Sequence, residues 1–178
     1  MTLSVRPAKE EDQVQLLQID HGYSTEYVWQ MDLDQDGPQR NVHFRETRLP
    51  RPMDVAYPRS IAVLEKEWAT RAAHLIAEED GGLLGYIALA AGPAPLSCWT
   101  TDLVVSPVRR RQGLGSKLVL AAQVWAHQRG FQRLILEMQS KNHPAIRFAQ
   151  KLAFDFSGYS DRYYENQDIA LFFAKKLS

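Results

Sequence analysis

The sequence predicts a single α/β domain in which helices flank a mixed sheet. Two observations lead to this prediction. Segments with strand and helix periodicity follow one another in the order strand, two helices, strands, helix, strand, helix and strands. The chain has 178 residues and 45% hydrophobic content, enough for one sizeable core. No repeat, linker or low-complexity tract divides residues 1–178, so we expect one domain.

The N-terminal elements are the least regular. Leu3–Arg6 alternates as a strand, and Glu11–Ile19 has helical spacing, with Val14 and Leu17 on the inner face. An aromatic cluster follows at residues 23–31, without a pattern that assigns it to an element.

The next segment is rich in structure-breaking residues. Asp32–Pro38 is predicted to be an acidic turn because it ends in Gly-Pro. Asn41–Leu49 alternates as a strand, which the following prolines are expected to interrupt. Ile61–Arg71 is predicted to be a helix with Ser60 as its N-cap.

The later elements have clearer signals. Asp80-Gly81-Gly82 marks a hairpin turn between two strands, and Gly130 follows a helix with Leu114 and Leu118 on its inner face. The predicted strands cover residues 74–79, 83–91, 98–105, 133–138, 154–160 and 168–175, and the predicted helices cover residues 113–129 and 143–151.

Composition narrows the classes of function. The 21 basic residues balance the 21 acidic ones, so the overall basic excess of a nucleic-acid-binding protein is missing. No apolar stretch approaches the roughly 20 residues of a membrane helix, and residues 1–6 lack signal-peptide features. We therefore expect a cytoplasmic protein without nucleic-acid or membrane partners. The five histidines show no metal-ligand spacing, so no metal site is predicted. Cys98, the one cysteine, is expected to be a buried strand thiol rather than a nucleophile.

The loop Ser106–Ser116, between a strand and a helix, has the strongest functional signal. A helix N-terminus offers unpaired N–H groups and the positive end of the helix dipole to an anion. Gly113 and Gly115 allow the backbone to approach a phosphate closely, and three arginines precede them. The Gly-Lys-Ser/Thr ending of a nucleotide P-loop is missing. A glycine-containing turn with a solvated basic run remains the alternative.

Arg110, Gly113 and Gly115 resemble the Arg/Gln-x-x-Gly-x-Gly/Ala motif of the GNAT superfamily of N-acetyltransferases. The resemblance implies a mixed, mostly antiparallel sheet flanked by helices, and acetyl-CoA as co-substrate. It implies that the preceding strand splays from its neighbour and that its backbone meets the pantetheine arm at Leu103, Val104 and Val105. The groups implied to hold the pyrophosphate are the N–H groups of Arg110, Arg111, Gln112, Gly113, Leu114, Gly115 and Ser116.

A second motif follows at the expected distance. Asn142–Phe154 resembles the Asn-x-x-Ala-x-x-Phe-Tyr-x-Lys-x-Gly-Phe helix of the same family. The resemblance implies that Asn142 bonds the pantetheine and that Phe148 packs under the cofactor. A plain amphipathic helix is the alternative. The two motifs together cover residues 99–154.

The family reaction implied by these motifs is acetyl transfer to a primary amine of a small molecule or peptide. The sequence departs from the family at Ala149, which replaces the tyrosine that usually acts as acid, and at Ala153, which replaces glycine. The thiolate therefore leaves unaided or another group protonates it. Three tyrosines, Tyr159, Tyr163 and Tyr164, lie near the end of the chain. Packing is the favoured role for them, and Tyr164 is retained as the candidate acid.

Two carboxylates are candidates for the general base. Glu137 lies near the end of a predicted strand, and a similar Leu-Glu pair ends the matching strand of ribosomal-protein N-terminal acetyltransferases. Asp102 on the strand before the loop is the second candidate. A salt-bridged or solvated strand carboxylate is the alternative for each. The Val105 N–H is the simplest oxyanion donor.

Residues 21–72 are expected to form the variable, substrate-side region. Residues 19–29 and Leu136–Gln139 are similar to streptothricin acetyltransferases, which implies a polycationic small-molecule amine as acceptor. A peptide amine or a polyamine fits nearly as well. Five acidic side chains in this region could attract a cationic substrate, namely Glu26, Asp32, Asp34, Asp36 and Glu46. For Asp32–Asp36 a solvated turn is the favoured interpretation. Tyr23 and Trp29 could line a pocket, a core or the contact of a homodimer.

Two further functions stay open. A GNAT fold could bind acetyl-CoA as a catalytically weak module or sensor, which the alanine at position 149 keeps under consideration. The fold could also bind a different CoA ester or phosphate ligand.

Overall fold

The computed structural model describes residues 3–178, which form two sheets and four α-helices. The strands are β1 (Leu3–Pro7), β2 (Tyr23–Asp36), β3 (Gln39–Val55), β4 (Ala73–Glu79), β5 (Gly82–Ala91), β6 (Ser97–Val105), β7 (Arg133–Gln139), β8 (Asp155–Ser160) and β9 (Ala170–Lys176). The helices are α1 (Asp12–Leu17), α2 (Ile61–Trp68), α3 (Leu114–Gln128) and α4 (His143–Lys151), with a short 3₁₀ turn at Pro107–Arg109.

The main sheet has seven strands in the order β1-β4-β5-β6-β7-β9-β8. Its pairings are antiparallel except for that of β6 with β7, which is parallel. The predicted fold class, a mixed and mostly antiparallel sheet flanked by helices, is therefore confirmed. Among the described residues, no helix is long and apolar enough to cross a membrane.

Each face of the main sheet buries a separate apolar layer, because successive strand residues point to opposite faces. On one face, Ile87 and Leu89 of β5 belong to a core that includes α3 and α4 through Leu118 and Ile146. On the other face, Tyr86 and its neighbours Ala88 and Val104 pack with Leu16 of α1, while Trp68 of α2 covers them.

The strands β6 and β7 pair over only part of their length. Ser97–Thr100 pairs with Arg133–Leu136, and beyond Thr100 the two strands separate. In the same place β6 contains a bulge against β5, because Ala88 pairs with Asp102 while Leu89 pairs with Thr100. The extra residue, Thr101, bends β6 away from β7. The splay that the family resemblance implies is therefore present.

The prediction for residues 23–55 was right in part, because the strand predicted at Asn41–Leu49 lies within β3. The extent of the strands was wrong. Strands β2 and β3 form one long hairpin whose turn lies at Gly37-Pro38, so Asp32 and Asp34 belong to a strand rather than to a turn. Pro50 and Pro52 do not end β3. In the described part of the chain β3 pairs with β2 alone, and an edge strand tolerates proline because the missing N–H would face solvent.

The hairpin is attached to the body near its base. The Trp29 N–H donates to the Ser140 carbonyl (2.9 Å), and the Tyr23 hydroxyl donates to Gln139 Oε1 (2.8 Å). The Trp29 ring packs against Phe173, with 5.8 Å between the ring centroids. Tyr23 and Trp29 therefore attach the hairpin to the main sheet.

Helix α1 is shorter than predicted, and a different set of its residues faces the core. Val14 is 68% exposed, while Leu16 and Leu17 are buried. Asp12 explains the difference, because its carboxylate accepts from the Lys9 N–H and from Arg6 and so fixes where the first turn begins. Helix α2 ends at Trp68, and Ser60 caps it as predicted, since its Oγ accepts from the Val63 N–H.

Gly85 of β5 provides a test of this packing. A Cβ there would lie 2.3 Å from the Val104 carbonyl oxygen. We expect Gly85→Ala to lower the free energy of unfolding by about 1–3 kcal/mol, because backbone must move to make room. Denaturant unfolding measures the change. Gly82→Ala on the same strand is the control, because its Cβ would approach the nearest atom only to 3.4 Å. Equal stability of the two variants would contradict this account of β5 and β6.

Candidate active site

A cavity of about 70 Å³ opens where β6 and β7 separate. Its walls come from the two strands, from α4 and from the loops before α2 and β9. The lining residues are Tyr57, Pro58, Arg59, Thr100, Thr101, Leu103, Leu136, Glu137, Met138, Gln139, Asn142, Ala145, Phe148 and Tyr164.

The N-terminus of α3 is the segment for which the sequence predicts an anion site. Gly113 is the N-cap with φ of +84°, and Arg111 also has a positive φ of +61°. The amides of Leu114, Gly115 and Ser116 have no acceptor within the helix. The Arg110 N–H, in contrast, donates to the Pro107 carbonyl (3.3 Å). The free donors of this loop therefore begin after Arg110.

Two of the three loop arginines make contacts that brace the loop. Arg110 donates from Nε to the Val105 carbonyl and from a terminal nitrogen to the Asp20 carbonyl, both at 2.9 Å. Arg109 pairs with Glu79 at 2.7 Å. Arg111 is exposed beside the free amides. Arg109 and Arg110 of the basic run therefore hold the shape of the loop.

Glu137 lies on the wall of the cavity, with its side chain only 1% exposed. One carboxylate oxygen accepts from Arg59, and the other accepts from the Tyr163 hydroxyl at 2.9 Å. Burial raises the pKa of Glu137, and the Arg59 charge opposes that rise. A carboxylate whose pKa is raised is a stronger base near neutral pH than a solvated one.

The carboxylate of Asp102, the second candidate for the base, has more polar contacts than that of Glu137. Its Oδ1 accepts from the Tyr57 hydroxyl at 2.6 Å and lies 3.4 Å from Arg59, and its Oδ2 accepts from Thr101 Oγ1 at 2.8 Å. The side chain is 2% exposed. Both candidate carboxylates therefore contact the same guanidinium.

Tyr57 and Arg59 were missed by the sequence analysis. They lie in the loop between β3 and α2, in a segment without a catalytic motif. The signal that points to them is indirect: two buried strand carboxylates require a cation and hydrogen-bond donors.

The three late tyrosines occupy different positions. Tyr164 is 6% exposed, lines the cavity and has its ring 5.3 Å from the Arg59 guanidinium carbon. Burial raises the pKa of Tyr164 well above its ordinary value, so the hydroxyl stays protonated. Tyr163 donates to Glu137, and Tyr159 packs against Phe44 of the hairpin. Only Tyr164 lines the cavity.

Helix α4 contributes to the cavity as its motif predicts. The Asn142 Oδ1 caps the helix by accepting from the Ala145 N–H at 3.1 Å, which leaves the side-chain amide nitrogen for a ligand. The Phe148 ring lies against Gly115, where an added Cβ would come within 3.3 Å. Ala149 lies in the core, fully buried. The position of the family's usual acid therefore offers none.

The acidic residues of the hairpin are not part of the cavity wall. Asp32 pairs with Arg45 at 2.7 Å, and Glu46 contacts His143 at 2.8 Å. Asp34 and Asp36 lie exposed near the hairpin turn. This arrangement supports the solvated interpretation of these side chains over an attractive field at the site.

Two other chemistries find little support in the described residues. No group of three or more His, Cys, Asp or Glu side chains within residues 3–178 is placed to hold a metal ion. Cys98 is buried, and burial raises the pKa of its thiol to about 12. A thiol that stays protonated is a poor nucleophile.

Comparisons with known proteins agree with this geometry. Residues 41–154 match the family model described as "Acetyltransferase (GNAT) family". The streptothricin acetyltransferase of Streptomyces lavendulae is 26% identical over 169 residues, which cover 92% of this chain and 87% of that protein. A Bacillus subtilis (strain 168) protein, provisionally described as a ribosomal protein bS18-alanine N-acetyltransferase, is 32% identical over 101 residues, which cover 55% of this chain and 64% of that protein.

Solved structures share the fold over the whole chain. A nourseothricin acetyltransferase has a TM-score of 0.85 at 21% identity, with 100% of both chains covered. A Bacillus anthracis protein, provisionally described as a streptothricin acetyltransferase and solved with acetyl coenzyme A, has a TM-score of 0.78 at 19% identity, with 98% of this chain and 99% of that chain covered.

Gly113 tests the anion site. We expect Gly113→Glu to raise the KM for acetyl-CoA by about tenfold or more, because a carboxylate at the start of α3 repels a phosphate. Steady-state kinetics measures the change. Gly37→Glu is the control, because Gly37 also has a positive φ (+54°) and free space around it but lies at the hairpin turn. Equal KM values for the two variants would contradict an anion site at Gly113.

Proposed function

The chain belongs to the acetyltransferase (GNAT) family and transfers an acetyl group from acetyl-CoA to an amine, and we propose that Glu137 takes the proton of a cationic primary amine bound in the cavity. One observation carries the proposal. Glu137 is a buried carboxylate on the wall of the split between β6 and β7. In this proposal the thioester and the amine meet at that split.

The cofactor is proposed to run along the edge of β6. The amides from Arg111 to Ser116 would hold the pyrophosphate at the start of α3. The backbone of residues 103–105 would pair with the pantetheine arm, with Asn142 and Phe148 on the opposite wall. The Val105 carbonyl accepts from Arg110, so the Val105 amide is the group left for the acetyl oxygen.

In the proposed reaction the nitrogen loses two protons, and a C–N bond replaces the C–S bond. Glu137 removes a proton from the ammonium, and the neutral nitrogen attacks the thioester carbon. The Val105 N–H stabilises the oxyanion that forms. The C–S bond then breaks, and the second proton of the nitrogen passes to the departing thiolate, to which Tyr164 donates a hydrogen bond. Because the pKa of Tyr164 is above that of a thiol, this phenol assists the thiolate without transferring its proton completely.

The charge at the cavity favours a cationic acceptor. Glu137 lines the cavity, whereas Asp102 is not among the lining residues. The two carboxylates share the guanidinium of Arg59, which leaves a negative charge beside the cavity. A small-molecule amine of the streptothricin type is the first candidate, because the similarity to the Streptomyces lavendulae enzyme covers 92% of this chain, including the substrate-side region at residues 21–72. A peptide N-terminal amine is the second candidate, based on the Bacillus subtilis relative.

We also propose how many domains the protein has, where it works and how its oligomeric state can be tested. We treat residues 1–178 as one catalytic domain, working in the cytoplasm where acetyl-CoA is available. The homodimer considered above is tested by sedimentation of the same preparation used for activity.

The acceptor is identified by measuring free thiol released from acetyl-CoA across a panel of streptothricin, polyamines and short peptides. We expect release that depends on the streptothricin-type amine. Tight binding of acetyl-CoA without amine-dependent release from any member would favour the sensor function. Slow release that is independent of the amine would favour a different CoA-ester ligand.

Replacement of Glu137 tests the base. We expect Glu137→Gln to lower kcat by about 10²–10⁴-fold while acetyl-CoA binding is unchanged, because the amide cannot accept the ammonium proton. Turnover and cofactor affinity are measured side by side. Glu65→Gln, on the exposed face of α2, is the control. Turnover of Glu137→Gln equal to that of the control would rule out this base.

Replacement of Tyr164 tests the assistance to the leaving group. We expect Tyr164→Phe to lower kcat by about 10- to 100-fold, less than the loss at Glu137, because a thiolate is already a fair leaving group. Tyr159→Phe, at a tyrosine outside the cavity lining, should leave kcat unchanged. A Tyr164→Phe variant with the wild-type kcat would show that the thiolate leaves without help.

A further inference from the structure

Arg59 spans the split at its closed end. One terminal nitrogen donates to the Thr101 carbonyl at 3.0 Å and lies 3.4 Å from Asp102, both on β6. The other terminal nitrogen donates to Glu137 on β7. The last backbone pair between these strands is Thr100 with Leu136. The guanidinium therefore joins the strands one residue beyond the point where their backbone pairing ends.

The Arg59 side chain is held in this position from several sides. Its neighbour Ser60 caps α2, which fixes the backbone on one side. On the other side Tyr57 donates to Asp102 at 2.6 Å. The Tyr164 ring lies 5.3 Å from the guanidinium carbon, and the side chain is only 13% exposed. A planar guanidinium fixed in this way presents its donors in one geometry.

Among the charged groups around Glu137, Arg59 is the one on which the ionisation of this carboxylate depends most. The ionisable groups that contact Glu137, or that lie on the surrounding elements, are Arg59, Asp102, Arg71, Tyr57, Tyr163 and Tyr164. Arg71 is bound to Glu67 and lies 4.0 Å from Asp102. Arg59 is thus the cation that contacts Glu137 directly. Without it, two buried carboxylates would face each other, and one of them would retain a proton near neutral pH.

We propose that Arg59 is a positioning residue that keeps Glu137 ionised and fixed in the split, so that the acceptor proton can be removed near neutral pH. This inference rests on the proposed role of Glu137. Arg59 does not act on the substrate in this scheme, and its effect on catalysis passes through the carboxylate that it contacts.

The test is the pH dependence of kcat/KM. Removing the cation raises the pKa of Glu137, and the base works only when it is deprotonated, so activity is lost from the acid side. We expect Arg59→Gln to move the acidic limb to higher pH by about one unit or more, which is about a tenfold or larger loss of kcat/KM below the limb. Activity should partly recover at higher pH.

Two further variants separate charge from general damage. Arg59→Lys keeps the charge but cannot bridge both carboxylates, so we expect a smaller shift of the limb together with a lower kcat. Adding Asp102→Asn to Arg59→Gln removes the second carboxylate and should move the limb back toward lower pH. Acetyl-CoA affinity and thermal unfolding, measured for every variant, report whether the fold is intact.

The outcomes distinguish this inference from the proposed function. If Glu137→Gln keeps both turnover and the acidic limb, Glu137 is not the base, and the role of Arg59 fails with it. If Glu137→Gln loses turnover while Arg59→Gln folds and keeps the wild-type limb, only the inference on Arg59 is overturned. If Arg59→Gln does not fold, the lysine variant decides, and a wild-type limb together with a wild-type kcat would overturn the inference.

Discussion

The parting of β6 and β7 is the constraint from which the rest of the site follows. Two parallel neighbours share backbone pairing only as far as Thr100 and Leu136, so the polar groups beyond that point need other partners. The bulge at Thr101 bends β6, and Arg59 from a distant loop crosses the gap. The opening that results is walled on one side by α4 and leads toward the start of α3. The cavity is thus obtained by ending one strand pairing early.

The buried charges at the gap have both a structural and a chemical role. A guanidinium between Asp102 and Glu137 joins two strands that no longer pair there. The same contact determines how readily Glu137 accepts a proton. Burial and the guanidinium act on the pKa of Glu137 in opposite directions, and in the proposed reaction their balance lets a buried carboxylate serve as the base. Removing either member of such a buried pair leaves the other uncompensated.

The sequence predicted the part of the molecule where local pattern and fold coincide. The strands and helices from Ala73 onward lie within a residue or two of their predicted bounds, because glycine turns and apolar periodicity mark them. The loop before α3 was found because of its glycines, of which Gly113 adopts a conformation that few other residues tolerate. Of the hairpin at residues 23–55 only the segment Asn41–Leu49 was predicted as a strand, because the rest pairs at an edge where proline and charge are tolerated. Arg59 and Tyr57 were missed for a different reason. Their role depends on a contact between residues more than 40 positions apart, which no local pattern records.

The outer end of the long hairpin lies apart from the residues that form the cavity. The base of the hairpin is bonded to Gln139 and Ser140 beside the cavity, and Phe44 farther along packs against Tyr159 of β8. Residues 32–41 around the turn are exposed, and none of them lines the cavity. Changes confined to this exposed end therefore leave the cavity wall unaltered. The outer end of the hairpin can therefore change the surface of the protein without changing the residues of the cavity.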